Sequence, residues 1–89
     1  MSDPTKPAVR PVLTYPLAWE YRVVGADEGA VRAAIAEVLG AREHTVMSGL
    51  VSGQGRWTSV RVELVVESEA ERDALHHALV AHASVRLVM

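Results

Sequence analysis

The order of hydrophobic periodicities constrains the fold of this chain more than any other feature. Between Leu17 and Met89, apolar residues first alternate and then recur at helical spacing. They alternate in two further segments, return to helical spacing, and alternate once more. Alternation is typical of a half-buried strand, and recurrence every three or four residues is typical of an amphipathic helix. The sequence therefore predicts the element order β-α-β-β-α-β.

The two helical segments are bounded by capping signals. Asp27 and Glu28 place carboxylates at the start of the first helix, and Gly40 follows its end. Ser68 and Glu71 match the S-x-x-E capping box at the start of the second helix. The apolar stripes that we expect to be buried are Val31, Ala34, Ile35, Val38 and Leu39 in the first helix, and Ala70, Ala74, Leu75, Ala78, Leu79 and His82 in the second.

The two strands in the middle of the chain differ in regularity. The segment from His44 to Val51 contains Ser48 and Gly49, which predicts an edge strand with a bulge near the glycine. A short hairpin link follows, formed by Ser52, Gly53, Gln54, Gly55 and Arg56. The next strand is predicted to be central, because its alternation is the clearest and points four apolar side chains one way: Val60, Val62, Leu64 and Val66.

This element order favours an α+β fold, the two-layer ferredoxin-like sandwich of split βαβ units. Right-handed crossovers interleave the two halves into a four-stranded antiparallel sheet of order 4-1-3-2, with both helices on one face. The other face of the sheet is left open. In this register the open face is predicted to carry Glu20, Arg22, Trp57, Ser59, Arg61, Glu63, Val65, Arg86 and Val88.

The chain is predicted to contain one domain preceded by a tail. All four prolines fall within residues 1–16, where they remove backbone donors and favour extended conformations. We therefore expect residues 1–16 to be a disordered proline-rich tail and residues 17–89 to form the ferredoxin-like domain. Eighty-nine residues leave room for one small core.

Composition excludes several classes of function. The absence of cysteine rules out disulfides, thiolate nucleophiles, iron-sulfur clusters and cysteine-based zinc sites, and favours a cytoplasmic protein. No apolar run reaches membrane-spanning length, so no membrane partner is expected. A net charge of -2 with interleaved signs offers no basic field for nucleic acid.

Motifs that carry chemistry are missing from the sequence. His76 and His77 are adjacent and His82 lies five or more residues further on, so none forms the i, i+4 pair of a zinc helix. The G-x-G before Arg56 links two strands and lacks the lysine of a phosphate-binding loop. No G-x-S-x-G is present. The sequence therefore predicts no catalytic residue, metal or cofactor. An enzyme would need activity that depends on a histidine or on Arg61.

Three short segments resemble a known family. They are Tyr15-Pro16 leading into Trp19-Glu20-Tyr21-Arg22-Val23-Val24-Gly25, then Gly55-Arg56-Trp57-Thr58-Ser59-Val60, and finally Val85-Arg86-Leu87-Val88-Met89. These segments are similar to the YbeD family of small bacterial proteins of unknown function, over Tyr15 to Met89. The resemblance implies a fold like the ACT-type regulatory domains. It also implies regulation in place of catalysis, with ligands bound near the glycine after the first strand, Gly25.

Two hypotheses about function follow. The first is a non-enzymatic regulatory or protein-interaction module that self-associates, as a homodimer or with an unknown protein partner, through the open sheet face or the edge strands. Its predicted contact residues are Arg22, Trp57, Arg61, Glu63 and Arg86. The alternative is a sensor of small, amino-acid-like metabolites at a protomer junction. Its predicted binding residues are Gly25, Asp27 and Glu28.

Overall fold

The structure, a computed structural model, describes residues 13–52 and 55–89, and for residues 50–52 it describes the backbone alone. The elements are β1 (Leu17–Gly25), α1 (Glu28–Leu39), β2 (Thr45–Ser52), β3 (Trp57–Val66), α2 (Glu69–Ala81) and β4 (Leu87–Val88). Most of the predicted tail, residues 1–12, and Gly53 and Gln54 of the predicted link lie outside the described residues. Tyr15 packs against the core, so the folded part begins before the predicted boundary at Leu17.

The four strands form one antiparallel sheet in the order β2-β3-β1-β4. Read from β4, this is the predicted order 4-1-3-2. Residues of both helices join the residues of β1 and β3 in one buried cluster, so both helices lie on the same face. The ferredoxin-like fold is therefore confirmed.

The core lies between the helices and the two central strands. Alternation along β1 and β3 directs every second side chain towards the helices, where burial of apolar surface stabilises the fold. The buried apolar side chains are Tyr21, Val23, Val60, Val62, Leu64 and Val66 from the sheet, Val31, Ala34, Ile35 and Leu39 from α1, Leu79 from α2, and Val85.

Both predicted helix starts are confirmed by their caps. The Asp27 carboxylate accepts a hydrogen bond from the Ala30 amide at 2.8 Å, and the Ser68 hydroxyl accepts one from the Glu71 amide at 3.1 Å. The Glu71 carboxylate accepts hydrogen bonds from the Arg42 guanidinium and from the Glu67 amide, one residue before the cap. These hydrogen bonds, with Arg42 contributing most, lower the pKa of Glu71.

The predicted buried stripe of α2 is partly wrong. Ala70, Ala74 and Ala78 are exposed, and only Leu79 of this helix is fully buried. The half-buried side of α2 instead carries Arg72, Leu75 and His76. The Arg72 guanidinium lies 4.8 Å from the centre of the Trp19 ring, and the His76 ring stacks on Tyr21. Long amphipathic side chains cover the sheet here in place of small apolar ones.

His82 does not join the core as the predicted stripe required. Its Nε2 lies 2.8 Å from a carboxylate oxygen of Glu37 in α1, and its Nδ1 accepts a hydrogen bond from the Ser84 amide at 3.2 Å. Because Nδ1 accepts a hydrogen bond here, Nε2 carries the ring proton and donates a hydrogen bond to the Glu37 carboxylate. This residue therefore joins the ends of the two helices.

The predicted phase of the last strand is wrong. Val88 pairs with Val23 and packs against the core, while Leu87 pairs with Val24 and is exposed on the open face. Val88 therefore lies on the helix-bearing side, and Leu87 and Met89 lie on the open face in place of Arg86 and Val88. Arg86 precedes the strand and lies beside Trp57. Four of the last five residues are apolar, so the alternation fits either phase, and the turn that buries Val85 selects the other one.

The predicted irregularity of β2 is confirmed. Its pairing with β3 shifts by one residue between Ser48 and Val51, which is a β-bulge in an edge strand. Gly49 lies at this bulge, and a Cβ atom there would collide with the side chain and carbonyl of Ser59. The glycine is therefore explained by the close approach of two strands.

Within residues 13–52 and 55–89, neither helix combines the length and the apolar character that a membrane crossing requires.

Candidate functional site

Four charged side chains form two rows across the open face of the sheet. Glu20 in β1 lies directly opposite Glu63 in β3, and two residues further along Arg22 lies opposite Arg61. Two residues along a strand correspond to about 6.5 Å. An acidic row and a basic row therefore run side by side, perpendicular to the strands. We call these four residues the charged rows.

The like charges face each other in the closer of the two kinds of antiparallel pair. The amide and carbonyl of Arg22 are both hydrogen-bonded to Met89, so they point away from β3. Arg22 and Arg61 are consequently a non-hydrogen-bonded pair, and the alternation makes Glu20 and Glu63 another. Such pairs have Cα atoms only about 4.5 Å apart, and like charges placed there are unfavourable.

A diagonal ion pair relieves part of this repulsion. The Arg61 guanidinium donates to one Glu20 oxygen from Nη2 at 2.6 Å and from Nε at 3.0 Å. These hydrogen bonds raise the pKa of Arg61. Arg22 reaches Glu20 only at 4.0 Å, and Glu63 reaches Arg61 at 3.9 Å. Opposite charges on β1 and β3 therefore pair diagonally, with half-exposed side chains.

Most of the side chains that flank the charged rows are apolar, with Ser59 and Thr45 as polar exceptions. Met47 and Met89 extend the basic row at its two ends, since Met47 pairs with Arg61 and Met89 with Arg22. The row beyond the acidic one contains Ala18 and Val65, and the row beyond the basic one contains Val24 and Ser59. Three of the apolar side chains on this face are well exposed: Val65, Leu87 and Met89.

At one end of the sheet, members of both predicted residue sets meet. Gly25, Asp27, Trp57 and Arg86 line a depression of about 400 Å³ between the start of α1 and the turn before β4. The Arg86 guanidinium carbon lies 5.9 Å from the centre of the Trp57 ring, a loose cation-π contact. The structure therefore separates Trp57 and Arg86 from the charged rows and places them beside the predicted ligand residues.

Glu28 does not line this depression. Its carboxylate accepts a hydrogen bond from Arg32 Nε at 3.0 Å and another from the Ser48 hydroxyl at 2.9 Å. The Ser48 hydroxyl in turn accepts one from Arg32 Nη2 at 2.8 Å. The bond from Ser48, followed by that from Arg32, lowers the pKa of Glu28. This network ties α1 to the bulged strand β2, and no spacing in the sequence pointed to it.

Gly25 has a packing role. A Cβ atom at this position would lie 2.5 Å from the Ser84 carbonyl oxygen and 2.5 Å from a methyl group of Val31. Real Cβ atoms do not approach other heavy atoms so closely. The turn before β4 therefore crosses β1 where only a glycine fits, with no ligand needed to explain the residue.

A second depression was not predicted from the sequence. It measures about 210 Å³, and its lining includes Trp19, Tyr21, Arg72, His76 and Met89. The Tyr21 hydroxyl donates a hydrogen bond to the Arg72 carbonyl, and burial raises the pKa of Tyr21 to about 12. The available signal was the i, i+4 spacing of Arg72 and His76, which places both on one side of α2.

Within the part of the chain that the structure describes, no group of three or more histidine, aspartate and glutamate side chains could hold a metal ion.

Comparisons with known proteins agree with this fold. Two solution structures of protein HP0495 from Helicobacter pylori are similar to the chain. One has a TM-score of 0.79 at 18% identity and covers 100% of this chain and 98% of that protein. The other has a TM-score of 0.63 at 22% identity and covers 99% of this chain and 98% of that protein.

The ACT domain from GTP pyrophosphokinase of Chlorobium tepidum is also similar, with a TM-score of 0.58 at 15% identity over 81% of this chain and 94% of that domain. At such identities the likeness shows the fold alone, and this fold is ACT-like. No curated protein matches the chain. The model of a protein family of unknown function, DUF493, matches residues 10–89. The chain belongs to this DUF493 family, in agreement with its YbeD-like segments.

Proposed function

We propose that this chain is a non-enzymatic protein-interaction module that pairs with a second copy through the open face of its sheet. The observation that carries the proposal is the pair of charged rows, because the pattern is complementary to itself. A face that leaves like charges directly opposed within one copy gains attraction when a second copy offsets the rows.

The symmetry of such a pair can be derived from the register. A two-fold axis that runs between the acidic and the basic row, parallel to both, exchanges the two rows and keeps each strand above itself. Glu20 then faces Arg22 of the second copy, and Glu63 faces Arg61 of the second copy, and each contact occurs twice. The interface is therefore isologous, the usual arrangement in dimers.

The same axis also matches the surrounding apolar positions. It brings the row of Ala18 and Val65 over the row of Val24 and Ser59 of the second copy. Packed sheets lie about 10 Å apart, a distance that Arg and Glu side chains reaching from both sides can span. Burial of the exposed Val65, Leu87 and Met89 would add a hydrophobic contribution that the ion pairs alone do not provide.

Sedimentation equilibrium tests this proposal. We expect the purified protein to dimerise in the micromolar range and the dimer to weaken as salt concentration rises, because the pairs are partly exposed. Arg61→Glu should weaken the dimer at least tenfold, since each substitution acts twice and replaces attraction with repulsion. Arg56→Glu makes the same charge change in the turn before β3 and should have little effect. A monomer at about 100 µM, or equal loss in both variants, would contradict the proposal.

A second candidate function is a small-metabolite sensor at the sheet end. The observation that favours it is that Asp27, Trp57 and Arg86 line one depression, with the Arg86 guanidinium near the Trp57 ring. An amino-acid-like ligand carries an ammonium group for the carboxylate and a carboxylate group for the guanidinium. Gly25 would contribute only shape, and Glu28 is committed to Arg32 and Ser48.

Thermal-shift screening with the twenty amino acids tests this second function. A ligand that binds the native state must raise the melting temperature. We expect a binder to lose its effect in Arg86→Gln and to keep it in Arg56→Gln, a matched change outside the depression. A flat screen, or a shift that survives Arg86→Gln, would rule out this site.

A further inference from the structure

One edge of β1 is left without a neighbouring strand over half of its length. β4 pairs with β1 only at Val23 and Val24, and hydrogen bonds from Met89 extend the pairing to Arg22. In the part of the chain that the structure describes, no strand lies beside residues 17–21 on this side. An exposed strand edge is a template for pairing with another strand.

The backbone groups at this edge belong to Ala18 and Glu20. Both the amide and the carbonyl of Arg22 point towards β4, because each is bonded to Met89, at 2.9 and 2.8 Å. In an antiparallel ladder these groups point to alternate sides at successive residues, so those of Ala18 and Glu20 point the same way as those of Arg22. Two donors and two acceptors are thus presented in the geometry of a strand.

A depression lies beside this edge, on the side of the sheet to which every second side chain of an added strand would point. The depression of about 210 Å³ opens on the helix-bearing side, and its lining residues are Trp19, Tyr21, Arg72, Asp73, His76 and Met89. In an added strand, the residue opposite Trp19 or Tyr21 would point to that same side, since neighbours across strands share a face. One side chain of an added strand would therefore enter the depression.

The chemistry of the depression indicates the kind of side chain that it accepts. Three of its six lining residues carry aromatic rings, Trp19, Tyr21 and His76. Its two charged residues, Arg72 and Asp73, pair with each other, and the Arg72 guanidinium is also stacked on Trp19. Aromatic rings make favourable contacts with another aromatic side chain. An apolar, preferably aromatic, side chain fits this lining better than a charged one.

We propose that the edge of β1 at Ala18 and Glu20 binds an extended peptide segment of another protein by β-strand addition, with one aromatic side chain in the adjoining depression. Backbone hydrogen bonds provide the affinity and the depression provides the selectivity. This site uses the backbone edge of β1 and the helix-bearing side of the sheet, whereas the two-copy contact uses side chains on the open face.

The geometry favours a peptide over a second copy of this chain at the edge. Pairing two β1 edges with Ala18 opposite Glu20 would place Pro16 of the second copy opposite Arg22. Met89 already occupies that position. A peptide of about four to six residues can end before Met89, whereas a second β1 must leave the sheet there.

The probe for the test is a capped hexapeptide that alternates threonine with phenylalanine and carries a lysine tail for solubility. Binding is measured with Trp57→Phe protein, in which Trp19 is the remaining tryptophan, and by amide chemical shifts. We expect saturable binding with a dissociation constant on the order of 100 µM, with the largest shifts at Ala18 and Glu20. Replacing phenylalanine by serine in the peptide should weaken binding at least tenfold.

Ala18→Pro removes one edge donor and leaves the ladder with β3 intact, because the Ala18 amide points away from β3. This variant should bind the peptide at least tenfold more weakly, whereas Ala18→Val, which keeps the amide, should bind normally. If Ala18→Pro does not fold, a peptide N-methylated at its central amides provides the same test. No saturable binding, or binding that Ala18→Pro or N-methylation leaves unchanged, would overturn the proposal.

Hydrogen exchange of the free protein gives an independent check. The amides of Ala18 and Glu20 should exchange fast, and those of Trp19 and Tyr21, which are bonded to β3, should be protected. Slow exchange at Ala18 and Glu20 in the free protein would show that the edge is already covered, by residues 1–12 or by a second copy, and would also overturn the proposal.

Discussion

Gly25→Ala should lower the free energy of unfolding by about 1–3 kcal/mol, the usual cost of an extra methyl group in a packed site. The added Cβ would meet the Ser84 carbonyl and a Val31 methyl group, both at 2.5 Å. One of these contacts is backbone, so a change of rotamer cannot relieve it. For a domain of this size the melting temperature should fall by roughly 5–15 °C, measured by circular dichroism in buffer alone.

Gly29→Ala is the matched control for this substitution. Gly29 lies in the first turn of α1, where an added Cβ would have an ordinary contact of 3.4 Å with the Asp27 carboxylate. Because alanine favours helix more than glycine does, this variant should gain about 0.5–1 kcal/mol. A Gly25→Ala protein as stable as the unchanged chain would contradict the packing role and leave ligand binding as the reason for this glycine.

Features fixed by long, regular patterns could be predicted from the sequence. From Val60 to Val66, β3 alternates between buried and more exposed side chains, so its phase, and with it the face that carries Arg61 and Glu63, was correctly predicted. The cap residues Asp27 and Ser68 were recognisable because side-chain capping is a local interaction. The strand order followed from the same element order through the handedness of crossovers.

Features fixed by contacts distant in sequence could not be predicted. The phase of the last strand depends on how the turn through Val85 packs, and five residues with four apolar positions carry no phase of their own. The alanines of α2 are exposed because Arg72 and His76, which a hydrophobicity pattern counts as polar, cover Trp19 and Tyr21. The pairing of Glu28 with Ser48 joins residues 20 positions apart.

The arrangement of the charged rows also depends on contacts that are distant in sequence. The sequence assigned Arg22, Arg61 and Glu63 to one face correctly, but the arrangement in rows follows from the register of β1 against β3. A shift of one residue would move these side chains to the other face. Arg86 was assigned to the open face together with the charged rows, and the structure places it beside Trp57 in the depression at the end of the sheet.

Exchanging the charges of Arg61 and Glu63 should restore the association that Arg61→Glu alone weakens, and this distinguishes a contact between two copies from an effect within one copy. Arg61→Glu alone places the introduced carboxylate over Glu63 of the second copy, twice in each dimer, and we expect association at least tenfold weaker. Adding Glu63→Arg restores an opposite charge at the same contacts, because the two-fold axis exchanges the rows. The double variant has the net charge of the unchanged chain, so nonspecific charge effects cannot account for a recovery.

The double exchange also improves the charge pattern within each copy. Arg22 then lies opposite a glutamate, and Glu20 lies opposite an arginine, so both directly opposed pairs on β1 and β3 become attractive. Folding should therefore not suffer, and a thermal melt of each variant checks this. Any loss of association in the double variant cannot be attributed to unfolding if its melting temperature is equal to or above that of the unchanged chain.

Sedimentation equilibrium of the unchanged chain, Arg61→Glu and Arg61→Glu/Glu63→Arg at one salt concentration is the most direct test of the charged rows as an interface. The proposed arrangement predicts that the unchanged chain is a dimer, that Arg61→Glu is predominantly a monomer, and that Arg61→Glu/Glu63→Arg is again a dimer. A double variant that stays monomeric while folded, or a single variant that still dimerises, would contradict it.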